Sequence, residues 1–178
     1  MFTNISKENK KEFNQFLYRD LIDESDYDDK DLLKLFENCG DYFELVEGEV
    51  PKNTDDFFLS LPPNKTVNDK INLGIFKDKN LIGAIDIIKN YPEEKEWIIG
   101  LMIIDINYRK FGFGEKAHEL IKHLAKEKGA YKLRIGVAEQ NILAKNFWEK
   151  LGYKIIKITE PMKIGNKESR IIVMNYII

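Results

Sequence analysis

The sequence has 178 residues, the length of one domain, and its 28 lysines and arginines against 30 aspartates and glutamates give a formal net charge of −2. Nucleic-acid-binding domains are usually basic, so this balance predicts no nucleic-acid partner. Hydrophobic residues make up 43% of the chain, enough for a full core, and the single cysteine excludes an intrachain disulfide. No apolar run reaches the roughly 18 residues of a membrane span, and residues 1–8 lack the apolar segment of a signal peptide. We therefore predict one cytoplasmic domain over residues 1–178, with no membrane partner.

The first third of the chain carries helical patterns. Apolar residues recur at helical spacing from Lys10 to Ile22 and again from Leu32 to Phe36, and we predict a helix over each stretch. Thr54 is placed to cap a third helix from Asp55 to Leu61. We therefore expect the domain to begin with helices.

The pattern changes to strands at Ile71. A hairpin is predicted from Ile71 to Ile88, and the next strand, Trp97 to Ile104, is apolar on both faces and should lie centrally in a sheet. Three more strands and two helices closed by glycines follow: strands over Lys132 to Ala138, Tyr153 to Ile158 and Arg170 to Ile178, and helices over Ala117 to Ala125 and Ala144 to Leu151. This order predicts an α/β fold with a mixed sheet flanked by helices.

A glycine-containing segment, Arg109-Lys110-Phe111-Gly112-Phe113-Gly114, joins the apolar strand to the next helix. Glycines let backbone N–H groups approach a ligand, and a helix N-terminus attracts negative charge, so the segment suits a diphosphate. A simple surface turn is the alternative. Gly112 to Ala117 also fits the dinucleotide fingerprint G-x-G-x-x-A, but only one helix remains after Glu139, too little for a dinucleotide-binding fold.

Two motifs together carry a family resemblance. Arg109-x-x-Gly112-x-Gly114 after an apolar strand resembles the acyl-CoA-binding motif of the GNAT-type N-acetyltransferases. The segment Asn141-x-x-Ala144-x-x-Phe147-Trp148-Glu149-Lys150-Leu151-Gly152-Tyr153 is similar to a second signature of that family. The resemblance implies a single α/β domain with a mixed, mostly antiparallel sheet.

What the resemblance implies for function is the transfer of an acetyl group from acetyl-CoA directly to a primary amine, on a small molecule or an exposed protein amine, without a metal. On this reading backbone amides hold the diphosphate, the apolar strand pairs with the pantetheine arm, and the second motif binds and accommodates that arm. The cofactor-binding residues would be Met102, Ile103, Ile104, Arg109, Lys110, Phe111, Gly112, Phe113, Gly114, Asn141, Ala144 and Phe147.

The catalytic groups are less evident, because Trp148 occupies a position where the family often has a tyrosine that protonates the leaving thiolate. Tryptophan can donate a hydrogen bond but cannot surrender a proton at neutral pH, so Tyr153 is a possible substitute. Glu96 and Asp86 are the candidate bases for the acceptor amine. Glu96 could equally be a solvated carboxylate at a strand end. Asp86 lies within an apolar strand and must face solvent or a cavity.

Three alternatives stay open at this point: an acetyltransferase, a CoA-binding module of the same fold without catalysis, and a nucleotide-binding fold with another partner. The acceptor is not identified, and the chain could be a monomer or a homodimer. His118 and His123 lie five residues apart in the predicted helix and therefore do not share a face, so we expect surface or helix-side positions and no metal pair.

Overall fold

The computed structural model describes residues 17–20 and 29–178. In chain order its helices and strands are β1 (Leu17–Asp20), α1 (Asp29–Asn38), α2 (Gly40–Val46), α3 (Asp55–Leu59), β2 (Lys70–Lys77), β3 (Asn80–Ile88), β4 (Glu96–Ile104), α4 (Phe113–Glu127), β5 (Lys132–Ala138), α5 (Ile142–Lys150), β6 (Lys154–Ile158), β7 (Met162–Ile164), β8 (Lys167–Ser169) and β9 (Ile171–Ile177).

The described strands form a seven-stranded sheet in the order β1-β2-β3-β4-β5-β9-β6, and β7 and β8 form a separate hairpin. All neighbours in the large sheet are antiparallel except β4 and β5, which are parallel. The apolar strand β4 lies at the centre, as predicted. The predicted single α/β domain with a mixed, mostly antiparallel sheet is confirmed.

Helices cover both faces of the sheet. Leu120, Ile121 and Leu124 of α4 are buried in a core cluster with Trp97 and Ile99 of β4. On the other face, a second cluster contains apolar residues of α1, α2 and α3: Leu32, Leu35, Phe36, Phe43 and Phe57. Burying apolar side chains on both faces explains why β4 carries no polar alternation. Among the described helices, none has the length and apolarity needed to cross a membrane.

Two predictions in the N-terminal third are wrong. Within the predicted helix from Lys10 to Ile22, residues 17–20 form β1, which pairs antiparallel with β2 from Leu17↔Phe76 to Asp20↔Leu73; the rest of that stretch lies outside the described residues. Pairing with the edge of β2 overrides a local helical pattern. Thr54 precedes α3 but does not cap it, because its hydroxyl donates to Asp29 Oδ1 at 2.9 Å.

Candidate functional site

The two parallel strands at the centre of the sheet, β4 and β5, separate halfway along their length. Pairing between β4 and β5 runs from Glu96↔Lys132 to Ile99↔Ile135 and ends there. Beyond that point β4 stays paired with β3 through Ile104, and β5 stays paired with β9 through Ala138. The edge of β4 that faces β5 is therefore open from residue 100 to residue 104 in the described part of the sheet.

A glycine stands on each strand where they separate. A β-carbon at Gly100 would lie 2.9 Å from Asp86 Oδ2, and one at Gly136 would lie 2.9 Å from Ile171 Cγ2. At such distances a side chain would have to displace its neighbour, so the packing favours glycine at both positions. Neither glycine stands out in the sequence, because the groups that exclude a side chain come from other strands.

A cleft of about 270 Å³ occupies the gap between the strands. Sixteen residues line it, contributed by the separated parts of β4 and β5, the start and inner face of α5, the C-terminal part of α2, β7 and β9. They include Met102, Asn141, Ala144 and Trp148, all of them predicted site residues. The structure thus brings the apolar strand and the second motif to one cavity.

The hairpin β7–β8 closes one side of this cleft by docking on the end of α2. The Asn166 N–H donates to the Glu47 carbonyl at 2.7 Å, and Lys167 Nζ donates to the Leu45 carbonyl at 3.2 Å. A β-carbon at Gly165 would lie 2.6 Å from the Glu47 carbonyl oxygen, so the hairpin tip approaches the helix end closely. These contacts fix the backbone of Glu47 at the rim of the cleft.

The glycine-containing segment forms the N-terminus of α4. Gly112 has φ +82°, a left-handed conformation that favours glycine, and it directly precedes the helix. The first bond within the helix runs from the Lys116 N–H to the Gly112 carbonyl at 3.1 Å, so the N–H groups of Phe113, Gly114 and Glu115 precede it. These groups and the helix dipole suit an anion, as predicted. Lys110 is exposed beside them.

The two phenylalanines of this segment differ in placement. The Phe111 side chain is 71% exposed, whereas Phe113 is buried and packs edge-on against Tyr108 with ring centres 6.2 Å apart. Of the groups of these two residues, only the backbone N–H groups are therefore candidates for binding a phosphate.

Arg109 does not add its charge to this anion site. Its guanidinium binds both carboxylate oxygens of Asp41, with Nη2 donating to Oδ1 at 2.9 Å, and its Nε donates to the Ile104 carbonyl at 2.8 Å. The hydrogen bond from Arg109 lowers the pKa of Asp41. We correct the prediction accordingly: Arg109 joins the loop before α4 to α2 and the end of β4.

Residues 102–104 of β4 have three different environments. Met102 lines the cleft, and the Ile103 side chain is buried against α1, α2 and α3. The Ile104 carbonyl already accepts bonds from Arg109 and from Cys39 Sγ, the latter at 3.4 Å. A partner strand on this edge can therefore use the backbone around Met102, but not the Ile104 carbonyl.

The start of α5 supplies the second motif. The Asn141 side-chain oxygen accepts from the Ala144 N–H at 3.0 Å and caps the helix, while Asn141 also lines the cleft. Its Nδ2 group has no hydrogen bond within the described residues and is free to bond a ligand. Phe147 does not line the cleft; it packs on the other motif, where a β-carbon at Gly114 would lie 3.1 Å from its ring.

The two candidate proton donors differ in access to the cleft. Trp148 lines it, with its ring packed against Phe147 and Tyr153 at centre distances of 5.1 and 5.0 Å. Tyr153 is 1% exposed and lies in the core behind α5 rather than in the cleft. Burial raises the pKa of its phenol. The structure therefore argues against Tyr153 as a proton donor.

Glu96 is also removed from the cleft. Its carboxylate is completely buried at the paired end of β4 and forms ion pairs with Lys132, at 2.6 Å, and with Arg134. Its charge is already paired with these two cations, and it is not among the residues that line the cleft. Glu96 is therefore neither the predicted base nor a solvated strand-end group, but part of the pairing between β4 and β5.

Asp86 stays close to the site. Its carboxylate lies against Gly100, which lines the cleft, and it pairs with the buried Lys70 ammonium at 2.8 Å and accepts from Asn72 Nδ2 at 3.4 Å. Burial nevertheless raises its pKa, against the opposite effect of Lys70. The sequence predicts that this aspartate faces a cavity or solvent. In the structure its carboxylate pairs with a buried lysine instead.

Two further residues line the cleft, Tyr42 of α2 and Glu47 directly after that helix, and sequence reasoning missed Glu47. Glu47 is half-buried, and burial together with the charge of Asp56 raises the pKa of its carboxyl. Only the acidic character of residues 41–49 hinted at this position in the sequence. His118 was also misread, since it is buried rather than on the surface.

Comparison with known proteins agrees with this arrangement. A family model described as the acetyltransferase (GNAT) family matches residues 25–153. The chain belongs to the GNAT family of acetyltransferases. No curated protein sequence matches the chain.

Solved structures share the fold. An acetyltransferase from Thermus thermophilus has a TM-score of 0.71 and 20% identity, covering 92% of this chain and 97% of that one. The ribosomal-protein-S18-alanine N-acetyltransferase from Escherichia coli has a TM-score of 0.64 and 14% identity, covering 92% and 94%. A Bacillus anthracis protein described as a putative streptothricin acetyltransferase, solved with acetyl coenzyme A, has a TM-score of 0.57 and 21% identity, covering 77% and 70%.

Proposed function

We propose that this GNAT-family chain transfers an acetyl group from acetyl-CoA to a primary amine. The observation that carries the proposal is the separation of β4 from β5 directly beside two helix N-termini. Because the two strands are parallel, the loops that follow them lie at the same edge of the sheet. A long ligand with an anionic end can thus place that end at α4 and its remainder along the open edge of β4.

The residues present fit an acyl-CoA in three respects. The N–H groups at the start of α4 suit the diphosphate, the open edge of β4 around Met102 suits the amides of the pantetheine arm, and Asn141 Nδ2 offers a further donor. Acetyl-CoA supplies an acetyl thioester that an amine can attack. The chain's part is to orient the two substrates, which is worth effective molarities of roughly 10⁵–10⁸ M in well-aligned systems.

The acceptor amine must lose a proton before it attacks. An alkyl amine with a pKa of about 10.4 is mostly protonated at neutral pH, and a nearby carboxylate speeds the reaction by holding or receiving that proton. Glu47 lines the cleft, and Asp86 lies against Gly100 but shares its charge with Lys70. These two carboxylates replace Glu96 as the candidates.

Amine acceptors are also supported by one of the structural neighbours, which is named as an N-acetyltransferase of an alanine. Another neighbour was solved with acetyl coenzyme A.

A second candidate is CoA binding without catalysis, and a specific observation favours it. Tryptophan at position 148 has no transferable proton at neutral pH, and Tyr153, its possible substitute as proton donor, is buried in the core. The two candidates differ in one measurable respect, the release of free thiol in the presence of an amine.

A matched pair of variants on α5 tests the proposal. Ala144→Phe adds a ring to the lining of the cleft, whereas Ile142→Phe adds one at a side chain that is 54% exposed and outside the lining. We expect wild type and Ile142→Phe to bind acetyl-CoA and release thiol with a panel of primary amines, and Ala144→Phe to lose both. Binding without thiol release would support the CoA-binding module. Competition for the site by NAD or ATP would support a nucleotide-binding protein and contradict both.

A further inference from the structure

The cleft contains one carboxylate. Of the sixteen described residues that line it, Glu47 is the one with a side chain charged at neutral pH. Every other contact that the lining offers is apolar, a backbone group, or a neutral polar group such as the Tyr42 phenol and the Asn141 amide. A ligand in this part of the cleft therefore meets a single negative charge.

That charge has no cation beside it. None of the ion pairs between described residues includes Glu47, whereas Glu49 pairs with Lys52 at 3.6 Å two positions further along the chain. The neighbour that acts on Glu47 is the carboxylate of Asp56, and together with burial it raises the Glu47 pKa. A half-buried carboxylate beside a second negative charge is costly to maintain unless a cation from outside the protein joins it.

Glu47 is also held in position. It follows the last residue of α2, its N–H donates to the Phe43 carbonyl at 2.7 Å, and its carbonyl accepts from Asn166 at 2.7 Å. These two hydrogen bonds hold the backbone from which the Glu47 side chain projects. A carboxylate on a fixed backbone orients a partner, whereas one on a mobile loop does not.

The walls next to Glu47 are apolar. Val46 of α2, Ile164 of β7 and Ile171 of β9 line the cleft together with the ring of Tyr42. Such walls accept the carbon skeleton of a ligand, and the Glu47 carboxylate, the one charged side chain among the described lining residues, repels a second negative charge. The combination selects a cationic head joined to an apolar body, without a carboxylate near the head.

We propose that Glu47 binds the ammonium group of the acceptor, and that the acceptor is a primary amine with an apolar body and no carboxylate beside the amine. This inference rests on the proposed acetyl transfer, because only that reaction makes the bound amine an acceptor. Binding of the amine can be measured without turnover.

The binding test uses three small probes that share one ring: 2-phenylethylamine, phenylalanine, which adds a carboxylate beside the amine, and 2-phenylethanol, which lacks the charge. Each is titrated calorimetrically into the protein saturated with CoA. We expect 2-phenylethylamine to bind wild type, and to bind Glu47→Gln at least about tenfold more weakly, because hydrogen bonds to charged groups are the stronger ones. Phenylalanine and 2-phenylethanol should bind at least about tenfold more weakly than the amine.

Glu44→Gln is the matched control, since Glu44 is exposed on the same helix and does not line the cleft. It should bind 2-phenylethylamine like wild type, and all variants should keep their affinity for CoA and their melting temperature. Equal binding of the amine to wild type and Glu47→Gln, binding of phenylalanine as tight as that of the amine, or no binding of the amine to wild type would each overturn the inference.

Turnover separates this inference from the proposed function. Amine binding that depends on Glu47, in a protein that releases no thiol with any amine, would support the inference and contradict acetyl transfer. Thiol release with an unchanged KM for 2-phenylethylamine in Glu47→Gln would support acetyl transfer and contradict the role of Glu47. If both hold, KM for the amine should rise at least about tenfold, with a smaller change in kcat, and Glu47→Asp should recover part of the loss.

Discussion

His118 provides a quantitative prediction, because it is a titratable group buried without hydrogen bonds. It is 1% exposed on α4, and neither ring nitrogen has a hydrogen-bond partner within the described residues. Its ring contacts Trp148, Tyr153 and Tyr176 at centre distances of 6.0, 5.5 and 5.5 Å. The Glu119 carboxylate lies 4.0 Å from Nδ1, beyond hydrogen-bond distance.

This environment opposes protonation of His118. Burial, reinforced by the charge of Lys122, lowers its pKa from 6.5 to about 4, against the weaker opposite effect of Glu119. Because the pKa of His118 is lower in the folded chain than in the unfolded chain, the unfolded chain binds a proton below pH 6.5 that the folded chain does not bind. The stability associated with the neutral ring is therefore present above pH 6.5 and is lost as the pH falls toward 4. At about 1.4 kcal/mol per pKa unit, the loss amounts to as much as about 3 kcal/mol.

The assay is urea unfolding of wild type and His118→Phe at pH 7.5 and at pH 4.5. Carboxylates contribute to the pH dependence of both proteins, so the quantity of interest is the difference between them. We expect wild type to lose about 2 kcal/mol more than His118→Phe over this range, since most of the interval between the two pKa values is crossed. His123→Gln, at an exposed position on the same helix, should behave like wild type. Equal pH dependence in wild type and His118→Phe would refute the reasoning.

Three more predictions concern the site and the ion pair beside it. Gly114→Val should weaken CoA binding at least about tenfold by calorimetry, because a β-carbon there would lie 3.1 Å from the Phe147 ring and the collision would displace the first turn of α4; Lys126→Ala in the last turn should leave CoA binding unchanged. Glu96→Gln should lower the free energy of unfolding by about 3 kcal/mol in urea titrations, whereas Glu119→Gln, an exposed pair, should cost less than about 1 kcal/mol. Trp148→Phe should lower kcat for thiol release about three- to tenfold without changing CoA affinity, because it removes the N–H donor of a ring that lines the cleft; an unchanged kcat would limit the ring to packing.

The strands were predictable because their signal is local. Alternating or continuous apolar residues located β2 to β5 and β9 to within two residues at each end, and the two-sided apolarity of β4 gave its central place. The helical pattern from Lys10 to Ile22 gave a wrong prediction for Leu17 to Asp20 for the opposite reason. Those four residues pair with β2, more than fifty positions away, and a local pattern contains no information on such a partner.

The motif residues were predictable as a group, but their individual contacts were not. Arg109 was expected at a phosphate, and it binds Asp41 instead, a residue 68 positions away. Glu96 was expected at the amine, and it is neutralised by Lys132 and Arg134 through the register of β4 and β5. In both cases a charged side chain found an opposite charge on a distant element. A sequence shows which residues are charged, but the fold decides which charges are already paired.

Glu47 was not predicted from the sequence for the same reason. It has no motif around it, and in the sequence it is one of several acidic residues near the end of α2. Its distinction is that Glu49 and Asp41 have cationic partners, whereas Glu47 faces the cleft. A charge without a partner is visible only once the partners of its neighbours are known.

The absence of a tyrosine at position 148 is compatible with catalysis on energetic grounds. A proton donor contributes roughly 10²–10⁴-fold to a rate, whereas alignment of two bound substrates reaches effective molarities of roughly 10⁵–10⁸ M. A thiol with a pKa of about 8.5 is also a good leaving group as the thiolate, in contrast to an alkoxide. The separated strands and the capped start of α5 both serve alignment. With tryptophan at position 148 the enzyme therefore lacks the smaller contribution, proton donation by a tyrosine. It keeps the larger one, alignment of the substrates by the fold.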